Sequence, residues 1–485
     1  MALPATRLVC HGCGHQVPFD EPRPFRCPRG QEKDNVDHSL RRVFDADAFA
    51  FWGDARAIFL DPEPNPFRRY HALLYSYEVS IAGGLTPGDY GRTLDRLDKA
   101  VENIDGRGFH VTPFEPAAKL AHAVGLETER LWIKDETGNV SGSHKARHLM
   151  GIMIWLEISR RLDLQEGPGP PLAIASCGNA ALAAAEIARA AARPLDVFVP
   201  PDANPHVLSR LVELGARLET CPRRRGDPPG DPCFHRFLEA WTHGALPFTV
   251  QGKRNGLAIE GGCTLVWEMV STLLARDRKV DHLLVQVGGG ALATACMEGL
   301  RDARDLGLIA DLPRVHTVQT RSAYPLRRAY DALAARILGR ALSSRDLQGS
   351  DGEIFDPATD DRRALEIRDE TPASKVREAL EYAAPNRSLH MLPWGTAPTS
   401  IAYGILDDET YDWLAVTEGM LRTGGIPLVV SEERLAEAYR LGREHTPIRA
   451  EPTGTAGLAG LLELQQAGVI GAGETVAVLF TGVER

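Results

Sequence analysis

The sequence predicts an α/β protein built on open, mostly parallel sheets with helices on both faces, preceded by a small separate head. Three observations carry that reading. From about residue 120 onward, short apolar runs alternate with helical patterns, as in strands joined by helical crossovers. The composition is ordinary globular material, 44% hydrophobic, 25% charged and 7% aromatic over 485 residues, enough for about three domain-sized units. Finally, Cys10, Cys13 and Cys27, three of the eight cysteines, crowd into the first 27 residues while the others are scattered singly.

Residues 1–45 read as the head: strand-poor, proline-rich and bearing Cys and His. From 46 to about 120 the text is irregular, except for a helix over 87–104 announced by Thr86 as cap and Pro87 at the first turn. Strands are expected at 131–134, 172–176, 195–199, 248–251, 282–287, 315–320, 426–430 and 475–480. Helices are expected at 146–161, 180–192, 206–214 and 291–306. Loops rich in Pro and Gly fall at 165–171 and 223–232, and the charged, less regular stretch 337–395 reads as an insertion or lid. In this fold class ligands bind in loops at the carboxyl ends of strands.

Asp+Glu 65 against Lys+Arg 55 gives a net charge of −10, a sign that disfavours a nucleic-acid partner. The start MALPATRLVC has no basic region followed by an apolar run, and no stretch reaches the roughly 18 to 20 uninterrupted apolar residues of a membrane span. A cytoplasmic protein with reduced thiols, without a membrane partner, is the expectation.

The chemistry concentrates in residues 131–158, LWIKDETGNVSGSHKARHLMGIMIWLEI. A strand ends, a turn containing Gly138, Asn139, Ser141 and Gly142 follows, and a helix begins near Lys145. Amide donors at a helix start disfavour an ammonium ion there, so Lys145 is suited to deprotonation and Schiff-base formation. A lysine in a loop is usually just solvated, so the spacing has to carry the argument. Lys134, Asp135, Glu136, Asn139, Gly142, Ser143, Lys145 and Arg147 fall in gapless register with the cofactor-lysine motif of the fold type II pyridoxal-phosphate enzymes. The chain therefore resembles the group that contains threonine synthase, serine and threonine dehydratases, cysteine synthase and the β subunit of tryptophan synthase. Two departures stand out: His144 replaces an aromatic, as in tryptophan synthase β, and Ala146 replaces the acidic residue common in threonine synthases.

Three further segments follow in the order that resemblance requires. Ser176-Cys177-Gly178-Asn179 resembles the family's Ser-x-Gly-Asn loop, which implies that Asn179 contacts the cofactor ring and that Ser176, Cys177 and Gly178 hold a substrate carboxylate. Cys177 has no activating base beside it and reads as packing rather than as a nucleophile. Gly288-Gly289-Gly290-Ala291, between a strand and a helix, suits a phosphate dianion and resembles the family's phosphate loop. A nicotinamide site is the rival for these glycines, since Gly288, Gly290 and Ala293 fit G-x-G-x-x-A, but the next strand ends in Gln319 and Thr320 where an acidic residue is needed. Thr481, at the end of the last strand, resembles the hydroxyl that faces the pyridine nitrogen. Segments 400–404 and 451–456 also resemble family landmarks, although Tyr403 stands where dehydratases often carry aspartate.

The resemblance runs from about 110 to 485 and implies a two-lobed catalytic core over 46–485, with the smaller lobe within about 150–270. It implies pyridoxal 5'-phosphate as cofactor, Lys145 as cofactor lysine and Cα base, an amino-acid substrate, a homodimer, and elimination or replacement at Cβ or Cγ, threonine synthase-like or of the ammonia-lyase type. A dehydrogenase, or an interaction protein using its head for nucleic acid, are the competing classes. In the head, Cys10-x-x-Cys13 and Cys27 leave Gly30 where a ribbon-type zinc site has its fourth cysteine, and His38 is the candidate to complete a structural Cys₃His set.

Overall fold

In the head, β1 (Thr6–Cys10) and β2 (Leu40–Phe44) pair antiparallel. The expectation of a strand-poor head is corrected here: Leu8, Cys10 and Leu40 alternate with more exposed positions, so the two strands share one buried face. The structure is a computed structural model that describes residues 5–31, 34–50, 53–164, 169–228, 230–340, 355–395 and 398–485. Parts of the two predicted loops (165–168 and 229) and of the predicted lid (341–354) lie outside the described residues.

Two further sheets build the core. The larger one uses β3 (Phe114–Pro116) and β4 (Leu131–Asp135), the smaller β5 (Leu172–Ala175), β6 (Leu195–Val199), β7 (Arg217–Thr220) and β8 (Leu246–Pro247). The chain then returns to the larger sheet with β9 (His282–Gln286), β10 (Arg314–Thr320), β11 (Pro427–Val430) and β12 (Val476–Phe480). The orders are β11-β10-β9-β12-β4-β3, parallel except for β3, and β7-β6-β5-β8, all parallel. The central strands β9 and β12 are buried along their whole length, because helices cover both faces. The strand expected at 248–251 is not there. Pairing with β5 ends at Pro247, and the residues beyond it turn away to line a cavity.

Helix Leu257–Arg276 lies between helices Lys145–Arg161 and Ala291–Asp305 as the spine of the core. It is long and apolar enough to cross a membrane, yet it is buried within the fold. Its close crossing with the Lys145 helix depends on glycine, since a Cβ on Gly261 would sit 2.2 Å from the carbonyl oxygen of Arg147. Within 337–395, the described part holds helices Pro357–Leu365 and Ala373–Ala383, which bury Ala364, Val376, Ala379 and Leu380. That stretch is more regular than its charged sequence suggests.

Candidate active site

The turn that carries Lys145 is anchored from below. After β4 the chain passes through a 3₁₀ turn, Val140–Gly142, with Ser141 (φ 55°) and Gly142 (φ 65°) in the left-handed region. Asn139 Nδ2 donates to Glu136 Oε2 and to the Ser143 carbonyl, both at 3.1 Å, and the Val483 N–H donates to the Gly142 carbonyl at 2.8 Å. Beneath it, four fully buried charges balance. Arg147 Nε donates to Glu136 Oε2 at 2.8 Å, its Nη1 to Glu268 Oε1 at 2.6 Å, and Lys134 Nζ to Glu268 Oε2 at 2.5 Å. Thr112 and Thr264 hydroxyls accept from the same guanidinium at 3.1 Å. Burial alone would push the Glu268 carboxyl up, but Arg147 and Lys134 outweigh it and hold it below its ordinary range. The motif residues Lys134, Glu136, Asn139 and Arg147 thus form a plinth that fixes the helix start.

Above the plinth, the loops at the carboxyl ends of β4, β5, β9 and β12 converge on one cavity of about 320 Å³ between the two sheets. It is lined by Lys145, Ser176, Cys177, Gly178, Asn179, Gly288, Gly289, Gly290, Ala291 and Thr481, which brings every predicted cofactor and substrate residue together. Lys145 is recessed there, and burial lowers its pKa against the pull of Asp407, Glu451 and Asp412. Neutral His144, beside it, is pushed well below its usual pKa by burial and by Lys145, and its Nδ1 is buried without a partner.

The glycine loop allows close approach. A Cβ on Gly288 would lie 2.2 Å from Asp407 Oδ2, one on Gly289 2.8 Å from the Tyr411 ring, and Gly290 (φ 102°) adopts a left-handed conformation at the start of helix Ala291–Asp305. The Gly289 backbone donates to the Asp407 carboxylate, so this loop already cradles an oxyanion. Burial raises Asp407 to about 6. Thr481 is buried and its hydroxyl accepts from Gln286 Nε2 at 2.8 Å, leaving its own hydrogen to donate. Asn179 Nδ2 donates to Glu451 Oε1 and Tyr403 Oη donates to Glu451 Oε2, both at 2.6 Å.

Cys177 corrects one expectation: it is exposed and lines the cavity, outside the buried core. Asp407, Tyr411, Gln251 and Gln286 line the cavity without having been singled out from the sequence. Gln286 ends β9 two residues before the glycine loop, while Gln251, Asp407 and Tyr411 reach the site from segments distant in sequence.

In the head, the candidate ligand atoms of Cys10, Cys13, Cys27 and His38 all lie within 4.8 Å of one another. Cys13 Sγ is 3.6 Å from Cys27 Sγ, and Cys10 Sγ is 3.3 Å from His38 Nδ1. His38 Nε2 faces Asp34 Oδ2 at 3.2 Å.

A lysine recessed between two α/β lobes, facing a glycine loop, defines a class of cofactor-dependent protein rather than a dinucleotide binder. The family model described as pyridoxal-phosphate dependent enzyme matches residues 107–384, more than half of the chain, and the chain belongs to that family. Over 376 residues it is 25% identical to threonine synthase from Methanosarcina acetivorans, covering 76% of this chain and 74% of that one. It is 30% identical over 184 residues to L-serine dehydratase from Saccharomyces cerevisiae, covering 36% of this chain and about half of that relative, 52%. Among solved structures, the threonine deaminase of T.th. superposes with a TM-score of 0.53 at 20% identity, over 81% of this chain and 98% of that one. At that identity the likeness shows the fold. The residues present fit pyridoxal phosphate: a recessed amine for an aldehyde, an N–H cradle already holding an oxyanion, and a free hydroxyl donor for a pyridine nitrogen.

Proposed function

We propose that this protein is a pyridoxal-phosphate-dependent lyase or synthase that eliminates or replaces a substituent at Cβ or Cγ of a polar amino acid, in the manner of threonine synthase or a serine/threonine ammonia-lyase. The observation that carries this reading is the convergence of Lys145, the 288–291 glycine loop, the 176–179 loop and Thr481 on one cavity. When bound, pyridoxal phosphate supplies the electron sink that stabilises negative charge at Cα. Lys145 would hold it through its amine and, once released, would take the Cα proton, a task suited to an amine whose pKa burial lowers. Gly288, Gly289, Gly290 and Ala291 would hold the phosphate, Asn179 the ring oxygen and Thr481 the ring nitrogen. Backbone and hydroxyl groups of Ser176, Cys177 and Gly178 would orient the substrate carboxylate.

The lining favours the ammonia-lyase side of this reading. Among the described residues that line the cavity, Asp407 and Glu451 are acidic, and Lys145 is the sole lysine or arginine. A leaving hydroxyl or amine would meet a carboxyl there, Asp407, able to carry a proton near pH 6, while the guanidinium of Arg485 at the cavity edge is engaged by Asn179 Oδ1 and the Ser141 carbonyl. Incubation of holoenzyme with L-serine, L-threonine, 2,3-diaminopropionate and O-phosphohomoserine tests this. Keto acid and ammonia from one of the first three are expected; phosphate release from the last alone would reverse the preference.

The head, 1–45, is proposed as a zinc-bearing accessory to the core, 46–485. Tetrahedral zinc with bonds of about 2.3 Å to sulfur needs thiolates about 3.8 Å apart, close to the Cys13–Cys27 spacing, and Asp34 is placed to fix the His38 ring. One zinc per chain, lost in Cys13→Ser, is the expected elemental analysis. The family resemblance further supports a homodimer, which sedimentation would test.

A further inference from the structure

The head is tied to the glycine loop by a continuous series of hydrogen bonds. Residues 35–37 lie directly before His38, and their backbone docks on the 3₁₀ turn Ala384–Leu389 of the core. The Asp37 N–H donates to the Ala384 carbonyl at 2.7 Å, while the Asn35 carbonyl and Oδ1 accept from the Arg387 and Ser388 N–H groups at 2.9 and 2.7 Å. Three bonds thus fix that turn to the head.

From the turn, the Arg387 side chain reaches Glu409. Its Nη2 donates to Glu409 Oε2 and its Nη1 to Oε1 at 3.5 Å, in a two-pronged pair whose side chains are only 14% and 18% exposed. Such a fork fixes direction as well as distance. Glu409 belongs in turn to a strap, residues 405–412, that lies along the glycine loop: Thr410 Oγ1 donates to the Gly288 carbonyl and the Asp412 N–H to the Gly289 carbonyl, both at 3.0 Å. A Cβ on Gly290 would lie 3.1 Å from Thr410 and 3.2 Å from Asp412.

These two carbonyls matter because a peptide is planar, so fixing the Gly288 and Gly289 carbonyls also fixes the N–H groups of Gly289 and Gly290. Those N–H groups are the donors a phosphate would use. We propose that Arg387 is a positioning residue for the cofactor phosphate, linking the head to the strap so that the glycine-loop N–H groups converge on one oxyanion. The inference rests on the reading of residues 288–291 as the phosphate cradle. It gives the head a task in a cavity that none of its described residues lines.

Titration of the full chain, freed of cofactor, with pyridoxal 5'-phosphate and with pyridoxal, the same aldehyde without the phosphate, tests this. Arg387→Met should weaken pyridoxal-phosphate binding about ten-fold, within the range of mutations that act through a packed network, and leave pyridoxal binding unchanged. Lys253, whose charge Glu409 favours, remains to offset the freed carboxylate. Glu409→Gln should lose the same selectivity, and the double variant should be no worse than either single one, as for two residues acting as a unit. Asn35→Ala removes a single acceptor from an exposed head residue and should shift selectivity the same way by about two- to three-fold, which keeps the test readable if Arg387→Met unfolds. Equal weakening of both aldehydes in Arg387→Met, or unchanged selectivity in Glu409→Gln and Asn35→Ala, overturns the positioning role. If wild type binds neither aldehyde, the cofactor reading itself falls, and this inference with it.

Discussion

The two sides of the Lys145 turn are opposites. Below it, Lys134, Glu136, Arg147 and Glu268 are wholly buried, and each meets a partner of the other sign. Above it, the cavity-lining residues include His144, Gln251 and Gln286, each with one unpartnered polar atom, and the Asp407 carboxyl, pushed up by burial. Oppositely charged groups paired in the interior serve as architecture, whereas the carboxyl and amine that line the cavity, Asp407 and Lys145, have pKa values shifted by burial. The best-matched motif residues around the lysine therefore hold it in place, and the reacting surface is assembled from loops far apart in sequence.

The plinth breaks most expensively. Arg147→Met leaves two buried carboxylates with only Lys134 between them and is expected to cost about 3–5 kcal/mol in urea unfolding; a smaller loss than about 1 kcal/mol would mean the cluster is not buried as described. On the cavity side the cost appears in ligand affinity instead. Gly290→Ala forces a left-handed φ on alanine and places its Cβ 3.1 Å from Thr410, so about 1–2 kcal/mol of strain should weaken pyridoxal-phosphate binding about ten-fold in a fluorescence titration.

Acidity separates the two sides further. Burial raises Asp412, which accepts from the Gly252 N–H at 3.2 Å, to about 8, against an ordinary value of 3.8. A carboxyl raised in the folded state stays protonated there while the unfolded chain ionises, so its stabilising contribution is intact below about pH 4 and is lost as pH rises to about 8. Asp412→Asn should accordingly match wild type in thermal melts at about pH 4 and exceed it by about 1–3 kcal/mol at about pH 9. Equal stability at both pH values would place the carboxyl in water. The smallest effect belongs to Thr481. Thr481→Ser retains the hydroxyl and should leave cofactor affinity unchanged, whereas Thr481→Val should cost about 0.5–1.5 kcal/mol, the worth of one hydrogen bond.

Much of this arrangement was legible in the residue order because turns and glycines state backbone requirements locally. The lysine turn, the 176–179 loop and the glycine loop each follow a strand and open a helix, so their resemblance to the family's motifs could be matched position by position. The strand expected at 248–251 failed because β8 is only two residues long, and an apolar run there serves the cavity wall as well as it would a sheet. Cys177 was misjudged because a cysteine's environment depends on which way its turn faces. Asp407 was invisible, since nothing local distinguishes an acidic loop residue facing a cavity from one facing solvent, and Gln286 was read only as part of an apolar strand.

Everything proposed for the cavity rests on Lys145 binding pyridoxal phosphate. Purified protein reconstituted with pyridoxal phosphate should show a visible absorption band that borohydride reduction fixes onto a single peptide containing Lys145, and Lys145→Ala, folded by circular dichroism, should show neither. A band of unchanged position and intensity in Lys145→Ala, or reduction onto another lysine, would refute that role for Lys145.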